Sequence, residues 1–468
     1  MTPEVDVAVV GAGPAGLATA YALARAGRTV RVLESAGEVG GRTRTLRANG
    51  CLIDTGAEMI PSSAGYPATW RLITALGLDT DPSAVPRVRD ALAVWRGGRA
   101  RPNAGRPLGL LTGAGLGLHA RLDLVRLQAR LARLGELDPD HPERVPPSHG
   151  HPDRDPLSPD RDPLSPERHS PGPVTIADLM SGYHPDLRDR LVYPLVSGFF
   201  GWDPAQSAAA PFAAHLVASG STATWHTYRD GMDTLSRALA AQLDVVTGHT
   251  VTRVTRCAGG VLLESPGGDV VARAAVLAVP APIAADLHAD APATRRAHLR
   301  ACRYAPMLRL SLLLDRPMAP RGVRRGFATL IPATEDPLLN VITVDHHKHP
   351  GRAPRGYGLI SLITSPPGTA ELIGEPDEKV VDRLVCAAER FVPGLAARIS
   401  HTYVHRFPHG LPEASPRALE SRAAFEHDPP SEVEYAGDWV ALRPCSEGAV
   451  ASAARAARRV LAHLSPGC

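Results

Sequence analysis

The sequence predicts an α/β protein whose second domain is α+β, and three observations carry that prediction. Val7-Ala-Val-Val10 is a short apolar run ending at Gly11-Ala-Gly-Pro-Ala-Gly16, after which an alanine- and leucine-rich segment continues to Arg25 and stops at Gly27. This is the order strand, glycine turn, helix. A second apolar run, Thr29 to Leu33, closes on Glu34. Finally, the chain has 468 residues, too many for one compact core, and suits two intimately connected domains.

Each residue type in the first unit has a physical task. Gly11 permits the tight turn, and Gly13 lets the backbone approach a pyrophosphate with no Cβ in the way. Gly16 allows the helix to pack closely on the strand, while Pro14 and Ala15 open that helix, whose unpaired N–H groups suit a pyrophosphate. Glu34 stands at the distance beyond the glycines that a ribose-binding carboxylate needs. It accepts hydrogen bonds from both ribose hydroxyls and repels a 2′-phosphate. The unit therefore reads as a Rossmann-like site for FAD or NAD rather than NADP.

Composition excludes several classes. Lys and Arg total 51 against 48 Asp and Glu, a net charge of +3. No basic run carries interleaved aromatics, so nucleic acid is not an expected partner. The cysteines, Cys51, Cys257, Cys302, Cys386, Cys445 and Cys468, form no CxxC pair, which predicts neither a zinc site nor a disulfide framework. The first strand begins almost at the N-terminus, leaving no room for a signal peptide, and no uncharged stretch is long enough to span a bilayer. The expectation is a soluble, cytoplasmic protein without a metal.

The segment after Glu34 separates FAD from NAD. Gly40-Gly-Arg-Thr-Arg-Thr45 is succeeded by Cys51-Leu-Ile-Asp-Thr-Gly-Ala-Glu58. With the N-terminal glycine turn, this region resembles the flavin-binding segment shared by amine oxidases, protoporphyrinogen oxidases and phytoene-type desaturases. The resemblance implies FAD, with Gly41, Arg42 and Thr43 at its phosphates, where a planar guanidinium suits better than an ammonium. It also implies that Ala57 to Met59 lie beside the flavin ring.

Farther on, Thr69 to Leu76 reads as a helix, and Asp90 to Arg101, with Gly97-Gly98 at its turn, as a hairpin that starts the substrate domain. From His119 to Gly135, Leu124, Leu127, Leu131 and Leu134 recur at spacings of three and four, with Arg121, Arg126, Arg130 and Arg133 elsewhere on the circumference. This amphipathic helix either packs its leucines inside the substrate domain, the preferred reading, or touches a membrane surface. Asp138 to Pro173 is rich in His, Pro, Asp, Arg and Ser and holds a tandem copy, Arg154 to Asp160 and Arg161 to Glu167. So few apolar side chains cannot offset the entropy of ordering, which predicts a disordered insertion. Its histidines, His141, His149, His151 and His169, lack the spacing of ligand pairs.

Leu191 to Asp203 resembles the substrate-domain segment that precedes a second helical stretch in protoporphyrinogen oxidases and desaturases. Tyr228 to Ser236 leads into a helix, Leu235 to Leu243, in the way these families return to their FAD domain. Val245-Val246 and Thr250 to Val254 read as strands, and the resemblance sets Val251 against the adenine. Val270 to Pro280 is a buried strand closed by proline. Leu339 to Val344 and Gly358 to Thr364 read as further strands, joined by Asp345-His-His-Lys-His-Pro350. Its histidines raise a metal, but neighbouring residues in an extended chain point to opposite sides and a cationic loop is usually solvated, so a surface loop is expected.

Arg406 to Pro412 resembles the tryptophan-containing segment that approaches the flavin edge in the family. Phe407 takes the aromatic place, and Glu413-Ala414 stand where a Gln-Tyr pair is common. The cysteine that tethers FAD in some amine oxidases is missing, so the cofactor is expected to be non-covalent. Glu434-Tyr-Ala-Gly-Asp438-Trp, followed by Ser446 to Ser452 and an arginine-dotted helix to His463, matches the family's C-terminal flavin motif. It implies Gly437 and Asp438 at the ribityl or phosphate region. Glu447, Gly448 and Ala449 then open a helix whose positive dipole end faces the flavin pyrimidine.

The organisation implied is a discontinuous FAD-binding domain (residues 1–90, 231–290 and 425–468) and an inserted substrate domain of mixed sheet and helices (91–230 and 291–424), with 138–173 as the disordered insertion. The expected activity is that of an FAD-dependent oxidoreductase, an oxidase or desaturase of the protoporphyrinogen oxidase and desaturase branch. It would remove two electrons as hydride from a small organic substrate of natural-product type, with oxygen or another acceptor restoring the flavin. One alternative is a flavin amine oxidase, although Arg309 stands where those enzymes commonly carry a lysine and Cys445 at one place of their aromatic pair. The other is a non-catalytic escort protein of the same architecture, which retention of Glu34, Arg42 and the Asp438 motif opposes. In Met307 to Leu314, Leu308, Leu310, Leu312 and Leu314 share one face, and Met307, Arg309 and Ser311 the other. A charge in so apolar a strand is costly unless its face opens on water, a ligand or a partner charge. The resemblance places this face over the flavin, which implies Arg309 lining the substrate cavity as the catalytic residue, with Met307, Ser311, Phe407 and Cys445 as substrate contacts. The competing reading is an arginine paired with a surface or interdomain carboxylate.

Overall fold

The computed structural model describes residues 2–88, 92–102, 115–133, 174–322 and 324–465, and their strands form two large sheets and a small hairpin. In the first sheet Val5–Val10 lies between Val30–Glu34 and Val270–Leu277, parallel to both, and Asp244–Thr247 extends one edge in parallel. The later half of Val270–Leu277 runs parallel to Val433–Tyr435. Its first half pairs antiparallel with Gly260–Glu264, which pairs in turn with Arg253–Cys257. Val7, Ala8 and Val9 are fully buried, as a parallel strand covered on both faces requires. The helix Pro14–Arg25 begins with a proline whose missing N–H leaves nothing unsatisfied at that position. It packs against the C-terminal helix Ser446–Leu464 in a cluster that includes Ala18, Ala20, Ala453 and Ala456. Such small side chains let the two backbones come close.

The second sheet runs in the order Ile399–Glu413, Arg303–Leu314, Gly358–Thr364, Leu339–Val344, Ala328–Leu330, Leu92–Arg96, Arg99–Pro102. It is mixed, because Ala328–Leu330 and Leu92–Arg96 are parallel while the other neighbours are antiparallel. Leu308, Leu310, Leu312 and Leu314 are fully buried and share a cluster with Val380, Leu384 and Phe391 beneath the helix Asp377–Ala388. The even-numbered face of this strand is thus core, as its alternation predicts. In the helix Leu118–Arg133, Leu127 is buried in a separate cluster with Leu187, Leu191 and Phe212, and Leu124 and Leu131 pack against that cluster. Leu134 and the 138–173 insertion lie outside the described residues. Among those residues no helix is long and apolar enough to cross a membrane.

Two local expectations are corrected. Thr250 to Thr252 are not strand, and pairing starts only at Arg253. The His249 N–H bonds the Glu34 carbonyl and the Thr252 N–H bonds the Glu264 carbonyl, so these β-branched residues carry the chain from one edge of the sheet to the next hairpin. Asp345 to Pro350 is not a solvated loop either. Asp345–Lys348 forms a helical turn in which Asp345 and Lys348 are buried, because each finds opposite charges in the interior.

Candidate active site

One continuous cavity of about 800 Å³ opens between the ends of the parallel strands and the second sheet. Its nucleotide end is built largely of backbone. Gly11 adopts φ +102, and a Cβ there would sit 2.7 Å from the Ala278 carbonyl oxygen. A Cβ on Gly13 would meet nothing within 4 Å, so this glycine leaves room in front of a helix whose N-cap carries no side-chain bond. First-turn N–H groups and vacant space together suit a phosphate. The Glu34 carboxylate accepts the Ala12 N–H at 2.7 Å and the Ala36 N–H at 2.8 Å. Oε1 also accepts the Ser35 hydroxyl at 3.3 Å, whereas Oε2 keeps a further lone pair, which a ribose hydroxyl can use. Arg42 grips Asp438 through two bonds of 2.8 and 2.9 Å and also donates to the Gly410 carbonyl at 2.9 Å.

Gly11, Gly13, Pro14, Ala15, Glu34, Gly41, Arg42, Thr43, Met59, Val251, Gly437, Asp438 and Ala449 all line this cavity. Gly16, Glu447 and Gly448 do not. Gly16 acts by contact with the turn, since a Cβ would fall 1.9 Å from the Gly11 oxygen. The Glu447 oxygens instead accept the N–H groups of Ala68 and Thr69, each at 2.8 Å. A buried carboxylate needs donors, and the first turn of Pro67–Ala75 supplies them. Gly448 permits close approach to the Arg443 carbonyl, 2.2 Å from where its Cβ would lie.

The opposite end is walled by Leu195, Phe199, Phe212, Leu216, Phe327 and Ile363. Register in the second sheet sets Arg309 between His405 and Ile363, with Phe407 directly opposite Met307. Opposed residues on neighbouring strands share a face, and Met307, Arg309, Phe407 and Cys445 all reach the cavity. Ser311 does not. It is fully buried one row deeper, 2.9 Å from the Ser361 hydroxyl, which in turn donates to Asp345 at 2.7 Å. Alternation assigned it the right face, but Asp345 and its hydroxyl partners fill that row.

Arg309 satisfies both readings of its position. It lines the cavity, yet its guanidinium pairs with Glu58, donates to Ser361 at 2.8 Å and lies 3.3 Å from Asp345. Behind it, Lys348 bonds Asp54 at 2.7 Å and contacts Glu58, while Arg352 lies 3.0 Å from Asp54 and donates to Thr227 and the Tyr228 carbonyl at 2.9 Å. Three cations thus face three carboxylates in a nearly dry interior. Burial pulls the Lys348 ammonium down to about 8, against the opposing pull of Asp54. Burial alone would raise Asp54, but Lys348 and Arg352 outweigh it and hold the carboxyl at about 2. The Lys348–Asp54 pair at the centre of the network therefore stays charged near neutral pH.

Residues 14–461 match the family described as flavin containing amine oxidoreductase. The chain belongs to that family. Putrescine oxidase of Kocuria rosea is 47% identical to it over 77 residues, 16% of each chain. Protoporphyrinogen oxidase 2 of Arabidopsis thaliana is 44% identical over 72 residues, 15% of this chain and 14% of the relative. These alignments span about a sixth of the curated relatives they match. A putrescine oxidase structure with bound putrescine superposes with TM-score 0.73 at 19% identity, covering 99% of this chain and 100% of the other, which is a likeness of fold.

The cradle fits the cofactor of an FAD-dependent oxidoreductase: open space before a bare helix N-terminus, a carboxylate with a free lone pair at the end of the second parallel strand, and an arginine–aspartate pair in the cavity wall. Among the described residues no group of His, Cys, Asp or Glu could hold a metal ion. His346 and His347 bond the carbonyls of Leu359 and Gly326 instead. Nothing in the sequence reading singled out Asp345, Lys348 and Arg352 or the ion pairing of Glu58, which lies within the Ala57 to Met59 stretch expected beside the flavin. The opposite charges of Asp345 and Lys348, three residues apart beside the mainly apolar run Leu339–Val344, were the available signal.

Proposed function

We propose that this flavin oxidoreductase removes two electrons, as hydride, from a mainly apolar small molecule lying against the second sheet. The observation that supports this reading is the continuity of one cavity, from a phosphate cradle to an aromatic and aliphatic chamber whose polar features include the Glu58–Arg309 pair. FAD, when bound, supplies the two-electron acceptor. The chain's own residues do the rest. Phe199, Phe212 and Phe327 exclude water and favour an apolar body, Met307, Phe407 and Cys445 contact it, and Arg309 and Glu58 offer it a donor beside an acceptor. We assign the segments 1–90, 231–290 and 425–468 to the cofactor domain, a division that the strand membership of the first sheet supports. The protein acts in the cytoplasm as an oxidase or desaturase, with oxygen or another acceptor restoring a non-covalent flavin.

Amine oxidation is the second reading, favoured by a carboxylate, Glu58, in the wall. Its engagement with both Arg309 and Lys348 weighs against an added ammonium. The test is anaerobic mixing of the yellow protein with a panel of apolar alcohols, amines and ring compounds, followed by bleaching of the flavin band. For the compound that reduces it, Arg309→Lys should retain FAD and slow reduction at least tenfold, about 1.4 kcal/mol of transition-state stabilisation. An unaltered rate removes Arg309 from the chemistry, and a colourless purified protein defeats the enzyme reading in favour of an escort role.

A further inference from the structure

Among the described residues four arginines line the cavity: Arg42, Arg44, Arg309 and Arg406. Three have a carboxylate, namely Asp438 for Arg42, Glu58 and Asp345 for Arg309, and Asp377 for Arg406. The carboxylates of the wall are likewise engaged: Glu34 by two backbone N–H groups, Glu58 by Arg309 and Lys348, Asp438 by Arg42. Arg44 stands apart. It is half-buried, and its guanidinium has no hydrogen-bond or ion-pair partner among the described residues.

The backbone of Arg44 is fixed rather than loose. Its N–H bonds the Gly41 carbonyl at 3.2 Å, and its own carbonyl accepts both the N–H of Thr55 at 3.0 Å and the Thr55 hydroxyl at 2.9 Å. The side chain is therefore presented to the cavity by a rigid turn. Its surroundings are cationic. His405 lies across the strands from Arg309, and burial first, then the charges of Arg309 and Arg44, push that imidazole down to about 3 and keep it neutral. Asp54, Glu58 and Asp345 are already matched by Lys348, Arg352 and Arg309, so the Arg44 guanidinium adds a charge beyond that balance. A guanidinium in a wall of low polarity gains most from a planar or tetrahedral oxyanion that it can grip by two bonds.

We propose that Arg44 is a ligand-binding residue for an anionic oxygen group, either the carboxylate of an otherwise apolar substrate or a phosphate of the cofactor. The first source deepens the oxidoreductase reading by making the substrate a hydrophobic acid, and rests on it. The second concerns cofactor retention.

Isothermal calorimetry of the purified holoprotein with benzoate, and with neutral benzamide as control, tests this beside the flavin content of each variant. If the anion is the substrate's, Arg44→Gln weakens benzoate at least tenfold, leaves benzamide within twofold and keeps full FAD content, while Arg44→Lys recovers part of the loss. If the anion is a cofactor phosphate, Arg44→Gln loses FAD on dialysis at least tenfold faster, and its benzoate affinity after FAD is added back is unchanged. Benzoate affinity and FAD retention both unchanged would overturn the proposal, as would equal losses for benzoate and benzamide. Should the native protein carry no flavin, the enzyme reading fails by itself, and benzoate binding to the flavin-free chain still tests Arg44.

Discussion

At the nucleotide end of the cavity Gly11, Gly13, Glu34 and Arg42 come from one stretch of chain and act largely through backbone and space. At the opposite end Glu58, Arg309, Phe407 and Cys445 come from four separate segments, and a buried network ties Asp54 and Glu58 to Arg309, Lys348 and Arg352. A backbone cradle is specified by local geometry and tolerates little added volume. A side-chain chamber is specified by long-range pairing, and its ion network couples cavity shape to stability. Damage to the first end should therefore cost cofactor without cost to the fold, and damage to the second should cost stability first.

The sharpest way to break this contrast is Gly13→Val. Because a Cβ at this position meets no neighbouring atom, the folded chain should survive with its circular dichroism unaltered, while flavin content falls below a tenth as the side chain fills the phosphate space. Normal flavin absorbance in that variant would show that the cradle lies elsewhere.

Next in size, Lys348→Met should lower unfolding stability by about 3–5 kcal/mol, since it leaves Asp54 and Glu58 without their shared cation. Denaturant unfolding of the flavin-free protein measures this. A loss under about 1 kcal/mol would show the network to be dispensable, as for exposed pairs.

The smallest expected effect is the acid limb of that network. Asp54 is held at about 2 against an ordinary 3.8, so its contribution is complete above pH 4 and is lost as the pH falls towards 2. This amounts to roughly 2 kcal/mol of stability. Unfolding midpoints between pH 5 and 2.5 should fall more steeply in the native chain than in Asp54→Asn.

Legibility in the sequence tracked the same divide. The strand–turn–helix around Gly11, the place of Glu34 at the end of the second strand and the leucine face of Leu308 to Leu314 depend on spacing within one element, and each lies where its spacing put it. Ser311 shows the limit of alternation, which assigns a face but not the row of that face that meets open space. Lys348 shows the limit of composition, because a cation among histidines reads as solvated unless its carboxylates, nearly 300 residues away for Asp54, are known. Arg309 is at once a wall residue and half of an ion pair with Glu58, about 250 residues away in the chain.

By itself the sequence determined the cofactor class, the parallel sheet that presents it and the apolar faces of the second sheet, because glycine turns, strand periods and a closing carboxylate act over distances of a few residues. Only the tertiary structure decided which charges face the cavity and which neutralise one another behind it. Pairing of Glu58 with Arg309, engagement of Glu34 by N–H groups and the guanidinium of Arg44, unpartnered among the described residues, are properties of distances across folded segments. Electrostatic energy depends on those distances and on burial, and neither is written in the order of residues.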